Sequence, residues 1–209
     1  MPVELVTTDG IFALDGGEWQ VTNNIWLVGD DREVLVFDAA HDHAPIVHAI
    51  NGRHVVAVVL THCHNDHINA AVPLRDEVDA PVLAHPDDQM LWDAVWPNDS
   101  LDGALSPEVV LRAGGHKLGV LHTPGHSPGC CCFHDVASGT VFSGDTLFCG
   151  GPGATGRSYS DEPTIVRSIV SQLLTLPPET IVHTGHGDST TIGAERDGVM
   201  DRAAVLGIV

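Results

Sequence analysis

Apolar residues along this chain fall into short runs, rich in β-branched side chains and closed by glycine or polar residues. Runs at 24–29, 33–38 and 54–60 have this form and predict buried strands. Between the last two, segment 44–51 sets Ile46, Val47 and Ile50 at helical spacing. A helix is predicted over 66–78 with Asp66 near its start, then a short strand over 81–84 and a helix over 87–95. Further strands are predicted at 109–112, 118–122, 130–134 and 140–143. The helix over 162–176 carries Ile165, Val166, Ile169, Val170, Leu173 and Leu174 as one stripe, and Pro177-Pro178 ends it. A strand at 180–183 and a short C-terminal helix complete the series. Two successive blocks, each strands and then helix, predict an α/β protein whose two sheets pack face to face with helices outside. No linker, low-complexity tract or internal repeat interrupts the pattern, so 1–209 reads as a single domain.

Composition narrows the classes of function. Of the 209 residues, 28 are Asp or Glu against 9 Lys or Arg, for a formal net charge of −19. Lys117 is the only lysine. Such a chain cannot neutralise a run of phosphates, which excludes nucleic acid as a partner and disfavours an anionic membrane surface. The N-terminal M-P-V-E-L-V-T-T-D-G has neither a basic nor an apolar region of the signal-peptide kind, and no run approaches the length of a membrane span. Five cysteines make an odd number: Cys63, Cys149 and the adjacent Cys130, Cys131 and Cys132. Neighbours on a strand point to opposite faces, which suits buried thiols better than disulfides. A cytoplasmic location is the expectation.

The fourteen histidines change the picture most, because histidine is the commonest metal ligand. Segment 61–67, T-H-C-H-N-D-H, follows directly on the strand at 54–60. A His-x-His-x-Asp-His series should arise by chance in such a chain only roughly 0.006 times, which makes it a strong motif. In extended or looped backbone His62 and His64 lie on one side and can share an ion. Asp66 and His67, turning into the helix, can reach a neighbouring one, while Cys63 points away. Three more candidates stand at strand ends or in glycine-rich loops: His126 in H-T-P-G-H-S-P-G, Asp145 in F-S-G-D-T-L-F and His186 in H-T-G-H-G. Each alone reads as readily as a turn residue.

Taken in order, H-x-H-x-D-H, then H, D and H, the series resembles the metallo-β-lactamase-fold hydrolases. The local forms T-P-G-H-S-P-G, S-G-D-T-L-F and G-H-G are most similar to the glyoxalase II branch (hydroxyacylglutathione hydrolases), and the resemblance runs from about Val34 to about Glu195. It implies a four-layer αβ/βα sandwich with two mixed sheets and the metals at one edge between them. It also implies two divalent ions, zinc foremost with iron or manganese as alternatives. By that resemblance His62, His64 and His126 hold the first ion, Asp66, His67 and His186 the second, and Asp145 bridges them. Such a pair lowers the pKa of bound water to near ~7 and so makes a hydroxide nucleophile between the ions. It also stabilises a departing thiolate. Asp66 and Asp145 are the expected catalytic carboxylates, Asp66 orienting the nucleophile and passing a proton onward. Asp38, closing L-V-F-D, either orients a ligand histidine or caps its strand.

The implied reaction is hydrolysis of a small-molecule thioester of the S-lactoylglutathione type by a monomer or homodimer. Full-length glyoxalase II enzymes carry a further helical domain for glutathione. Here only a short segment follows His186, which leaves the thiol open and resembles the single-domain branch. T-H-C-H-x-D-H-I is also close to the persulfide dioxygenases, which hold one iron through the equivalents of His62, His126 and Asp145; a lactonase or other ester hydrolase is the further alternative. Segment 149–161 offers Arg157 and Tyr159 for a carboxylate or carbonyl oxygen, or else is a surface loop. Trp92 and Trp96, with Met90, Leu91 and Val95, either wall the cleft or belong to the core. His41, His43, His48, His54, His85, His116 and His134 are not expected to be ligands, whereas His122 and His183 flank the site and can orient a ligand.

Overall fold

Strict alternation along β3 (Glu33–Phe37) sends Val34 and Val36 to one face and Leu35 and Phe37 to the other, and all four are fully buried. A strand covered on both faces must lie in the middle of a layered fold. In the computed structural model of the protein, which describes residues 3–209, that strand belongs to a six-stranded sheet. The first two residues of the N-terminal segment lie outside the described chain. The sheet runs β1 (Val3–Leu14), β2 (Gly17–Gly29), β3, β4 (His54–Val59), β5 (Val82–Ala84), β6 (Gly103–Ala104). β1 to β3 pair antiparallel, and β3 to β6 pair parallel. A second six-stranded sheet is built from β7 (Val110–Ala113), β8 (His116–His122), β9 (Cys131–Asp135), β10 (Thr140–Gly144), β13 (Ile181–Thr184) and β14 (Thr190–Thr191). Its order is β14-β13-β10-β9-β8-β7, parallel only between β10 and β13. β11 (Leu147–Phe148) and β12 (Gly151–Pro152) form a small ribbon.

Three apolar cores separate four layers. Between the sheets, Trp26, Leu35, Phe37, Ala57 and Val59 meet Leu118, Val120, Cys131, Phe133 and Phe142. Outside the first sheet, Val34, Val36, Val58 and Val82 pack on α1 (His43–Ile50), α3 (Ala71–Val78) and α4 (Gln89–Val95) through Ile46, Leu74 and Trp92. Outside the second, Cys132, Val141 and Val182 pack on α5 (Glu162–Ser168) and α6 (Ile192–Val205) through Ile165, Val166, Val199 and Ala203. Cys131 and Cys132 therefore face opposite cores as buried free thiols. The fold is the α/β metallo-β-lactamase sandwich, two mixed sheets with helices outside. No helix among the described residues is long and apolar enough to cross a membrane.

The structure differs from the sequence expectation in several places, and the short β6, β11, β12 and β14 are not among the expected strands. The strand expected at 24–29 is the end of a longer β2, which pairs along its whole length with β1. Their turn is Asp15-Gly16, both at positive φ (54° and 76°), the left-handed pair that a tight two-residue hairpin requires. The helix expected over 66–78 is two pieces, α2 (Asn65–Ile68) and α3. Pro73 has no N–H to bond the Asn69 carbonyl, and the Ala70 N–H donates instead to the Ala39 carbonyl at 3.0 Å. The helix expected over 162–176 leaves α geometry after Ser168 and finishes as a π-helical turn, Ile169–Leu173, with the Leu174 N–H donating to the Ile169 carbonyl. The C-terminal helix is α6, 14 residues rather than a short one. Trp92 and Trp96 do not wall the cleft: Trp92 is fully buried and Trp96 packs against the same core, its indole N–H donating to the Ile68 carbonyl.

Phe37 stacks on Phe142 with ring centroids 4.8 Å apart and packs at a tilt against Phe133 at 5.0 Å, which joins the two sheets. Phe37→Ala is expected to cost about 3–5 kcal/mol of unfolding free energy in urea denaturation. A loss below about 1 kcal/mol would contradict this account of the inter-sheet core.

Candidate metal centre

Each predicted donor sits at the same edge of the sandwich. His62 and His64 follow β4, Asp66 and His67 lie on α2, His126 is in the loop from β8 to β9, Asp145 follows β10 and His186 follows β13. Because β4 and β10 each have a parallel neighbour, their C-terminal ends open on one crevice, where loops are free to aim side chains inward. Gly185 allows two of these loops to touch, since a Cβ there would lie 2.3 Å from Asp145 Oδ1.

All seven predicted donors meet. His64 Nδ1 lies 3.0 Å from His62 Nε2 and 2.9 Å from His126 Nε2. Beside this group, His186 Nε2 is 3.2 Å from His67 Nε2 and 3.4 Å from Asp66 Oδ2. Asp145 spans both: its Oδ2 is 3.5 Å from His126 Nε2 and from His186 Nε2, and its Oδ1 is 3.4 Å from His67 Nε2. Six of the seven residues are buried, while the His186 side chain keeps 23% of its exposure.

Outer acceptors decide which nitrogen of each ring faces inward. His67 Nδ1–H donates to Asp38 Oδ2 at 2.9 Å, His126 Nδ1–H to the Ala154 carbonyl at 2.7 Å and His186 Nδ1–H to the Thr22 carbonyl at 2.8 Å. The Thr61 hydroxyl donates to Asp38 Oδ2 and accepts from His62 Nδ1–H at 3.1 Å. Asp38 thus holds the loop of His62 as well as the ring of His67. Each of these four histidines keeps Nε2 for the interior, the arrangement that metal sites use to fix tautomer and direction.

Charge divides the pocket into two halves. Burial, with His67 and His64 nearby, holds His62 well below the ordinary histidine pKa; burial and His126 take His64 to about 3. On the other side burial opposes charge on His67, yet Asp145, Asp66 and Asp38 override it and hold that ring well above the ordinary value. Burial likewise opposes charge on His186, and Asp145 and Asp66 carry it to about 10. Burial resists the charge on Asp145 too, but His67 and His186 hold it well below the usual carboxylate range. Without ions, then, one half contains the neutral rings of His62 and His64 and the other is two carboxylates facing two imidazolium rings.

This donor set fits a pair of divalent ions. In the first half, His62 and His126 have spent their Nδ1–H groups on outer acceptors and aim Nε2 at His64 Nδ1 within 3.0 Å, an arrangement in which one cation can satisfy all three nitrogens. His64 Nε2, Asp66 Oδ1 and Asp145 Oδ1 are buried with no hydrogen-bond partner. His62, His64 and His126 can hold one ion, Asp66, His67 and His186 another, and Asp145 lies between.

Several residues that shape the site carried no motif. The buried Asp88 accepts from the Cys63 N–H (2.9 Å), the Ser127 hydroxyl (2.7 Å) and the Gly129 N–H (2.6 Å), tying the loop of His62 and His64 to that of His126. The β1–β2 hairpin brings Phe12, Trp19 and Val21 over a cavity of about 400 Å³ that Asp66, His126, Asp145 and His186 line on the other side. Phe12 packs edge-on against His64 at 5.4 Å. The alternation in V-E-L-V-T-T and G-E-W-Q-V around D-G is the signal that marks this hairpin. Arg157 lines the cavity, its guanidinium 3.7 Å from the Trp19 ring. Tyr159 does not reach it and is 54% exposed. Of the flanking histidines, His122 donates to the Pro128 carbonyl and stacks on His85, and His183 packs on Trp26; their contacts are with these neighbours and not with a donor of the cluster.

Residues 19–186 match the Metallo-beta-lactamase superfamily. The chain is 34% identical over 189 residues to the probable metallo-hydrolase YqgX of Bacillus subtilis, covering 84% of this chain and 89% of that one. It is 29% identical over 187 residues to the hydroxyacylglutathione hydrolase GloC of Haemophilus influenzae, covering 82% and 87%. Among solved structures it resembles BLEG-1 B3 metallo-beta-lactamase (TM-score 0.77, 30% identity, 91% and 97% covered) and TTHA1623 in a di-iron-bound form (TM-score 0.73, 34% identity, 84% and 93% covered).

Two expectations follow from this geometry. Asp88→Ala leaves three donors without an acceptor and is expected to lower unfolding stability by about 3 kcal/mol together with metal content; a variant equal to the parent in both would show that Asp88 does not hold the loops. His67 and His186 carry protons that a cation must displace, so titrating zinc into metal-free protein at neutral pH should release about two protons per chain. Because both pKa values are raised, affinity should rise with pH up to the range where His186 titrates. A dye-monitored titration without proton release would contradict the charge assignment.

Proposed function

The chain belongs to the metallo-beta-lactamase superfamily and is a metal-dependent hydrolase of it, and on that footing we propose that it is a binuclear thioester hydrolase of the glyoxalase II kind. Its substrate class is the S-hydroxyacyl thiol ester of which S-lactoylglutathione is the type, and zinc is the proposed metal. The observation that carries this reading is Asp145, placed within 3.5 Å of donors in both clusters on the floor of an apolar-walled cavity. The GloC likeness supports the thioester over other esters.

Bound divalent ions supply a water nucleophile at neutral pH and polarise the carbonyl. The chain's own residues do the rest. Asp145 is the carboxylate common to both clusters and offsets part of the charge of a cation pair. Asp66, with Oδ1 unpaired and the residue only 3% exposed, takes the proton of the attacking water and passes it toward the leaving sulfur. Phe12, Trp19 and Val21 exclude water from one side of the cleft. Arg157 is held over the Trp19 ring at 3.7 Å, and its guanidinium fork binds a substrate carboxylate.

Purified protein is expected to contain about two metal ions per chain and to release thiol from S-lactoylglutathione, read with a thiol reagent. Asp145→Ala should lose the activity and lower the metal content. One iron per chain, with oxygen consumed on glutathione persulfide, would replace this reading by the mononuclear dioxygenase; hydrolysis of lactones with none of thioesters would replace it by an ester hydrolase. The second donor cluster argues for the binuclear form, because a single iron on His62, His126 and Asp145 would leave Asp66, His67 and His186 idle.

A further inference from the structure

Four of the five imidazoles in the cluster give the proton of their outer nitrogen to an oxygen. His62 donates to the Thr61 hydroxyl, His67 to Asp38, His126 to the Ala154 carbonyl and His186 to the Thr22 carbonyl. His64 is the exception. It turns Nδ1 inward, 3.0 Å from His62 Nε2 and 2.9 Å from His126 Nε2, so with an ion on Nδ1 the neutral ring carries its hydrogen on Nε2. That nitrogen is buried and has no hydrogen-bond partner among the described residues. A buried N–H without an acceptor is costly, and no oxygen steadies this ring.

What does lie against His64 is Phe12, with ring centroids 5.4 Å apart and planes at 60°. An edge-to-face approach of this kind lets an N–H point at the electron-rich face of a benzene ring. The backbone on either side of Phe12 is pinned by the residue that follows His64 in the chain. The Ala13 N–H donates to Asn65 Oδ1 at 2.8 Å, and Asn65 Nδ2–H donates to the Ile11 carbonyl at 2.9 Å. Because a backbone N–H can only donate, the amide has one possible orientation. β1 is the edge strand of its sheet, so these outward groups have no further strand to bond; a single asparagine answers them and sets β1 against the metal loop. Phe12 faces the cleft as well. It lines the cavity, packs on Trp19 at 5.6 Å and lies 5.7 Å below the Arg157 guanidinium.

We propose that the face of Phe12 stands in for the missing oxygen by receiving the His64 Nε2–H, and that Asn65 holds Phe12 in that place. Phe12 and Asn65 are then positioning residues for the ion of His62, His64 and His126, acting through His64. The hairpin that walls the cleft is thereby part of what aims a ligand, and a shift of the hairpin is felt at the metal. The inference rests on the reading that His62, His64 and His126 hold an ion.

The test uses full-length protein loaded with zinc. Nitrogen-edited NMR reads the histidine ring N–H signals, and chelator competition gives the zinc dissociation constants, with the first cluster followed on the His64 signals. In the parent, the His64 Nε2–H proton is expected upfield of the Nδ1–H protons of His67, His126 and His186, because it sits over an aromatic face while theirs are bonded to oxygen. Phe12→Leu keeps the apolar volume and removes the face; it should weaken zinc at the first cluster about tenfold and move the His64 proton downfield. Asn65→Ala should weaken the same ion with Phe12 intact, and Phe12→Tyr, which keeps the face, should restore the parent values. If Phe12 is only a wall, Phe12→Leu changes KM and leaves the zinc constant and the His64 proton as in the parent, which would overturn the proposal. A His64 proton in the parent at the low field of an oxygen-bonded N–H would overturn it too, and that spectrum decides even where a variant fails to fold. His64 signals that do not respond to saturating zinc would overturn the ligand reading itself.

Discussion

Five imidazole rings and two carboxylates cannot share one buried crevice unless positive charge lies among them. In the first half of the site, the bare Nε2 atoms of His62 and His126 approach His64 Nδ1 within 3.0 Å; in the second, two carboxylates compel two rings to hold protons until a cation replaces them. Lone pairs and anions so confined repel one another, and the cost grows with the low dielectric of the interior. The remainder of the fold is arranged so that this repulsion is held in place and answered by ions.

Two buried aspartates carry most of that restraint. Asp38 leaves β3 at a positive φ of 64° and binds the Thr61 N–H and hydroxyl and the His67 ring together. Asp88 gathers the loop of His62 and His64 and the loop of His126. The first aspartate works within one sheet. The second reaches across the sandwich, because Ser127 and Gly129 belong to the loop after β8 in the other sheet. Each half of the fold thus supplies donors, and a short turn before α4 keeps the two halves in register. The hairpin of β1 and β2 adds the lid: Thr22 orients His186, Asn23 donates to Asp66, and Phe12 and Trp19 wall the cleft.

Such an arrangement separates the metals' chemistry from the choice of substrate. The donors come from strand ends fixed by the core, whereas the cleft walls come from an edge hairpin and from the segment of Arg157. A net charge of −19 repels an anion at a distance, so the thioester proposed as substrate would be drawn in only close to the cleft, by the proposed cations and Arg157.

The sequence alone marked the seven side chains that meet at one edge, and the layering. Both are local properties: His-x-His-x-Asp-His is a spacing on one chain segment, and alternation of apolar residues along β3, β4 and β9 already states that both faces are buried. Tertiary structure alone decided the partners. Nothing near Asp88 in the chain marks it as the acceptor for Cys63, Ser127 and Gly129, and nothing near Asn23 or Asn65 tells that they meet Asp66 and the strand around Phe12. The break between α2 and α3 depends on Ala70 finding the Ala39 carbonyl, and the hairpin's role as a cleft wall depends on the loops it covers. Tyr159, which shares a loop with Arg157, points to solvent for the same reason. A hydrogen bond or a wall needs a second surface, and the chain acquires that surface only when its distant segments pack.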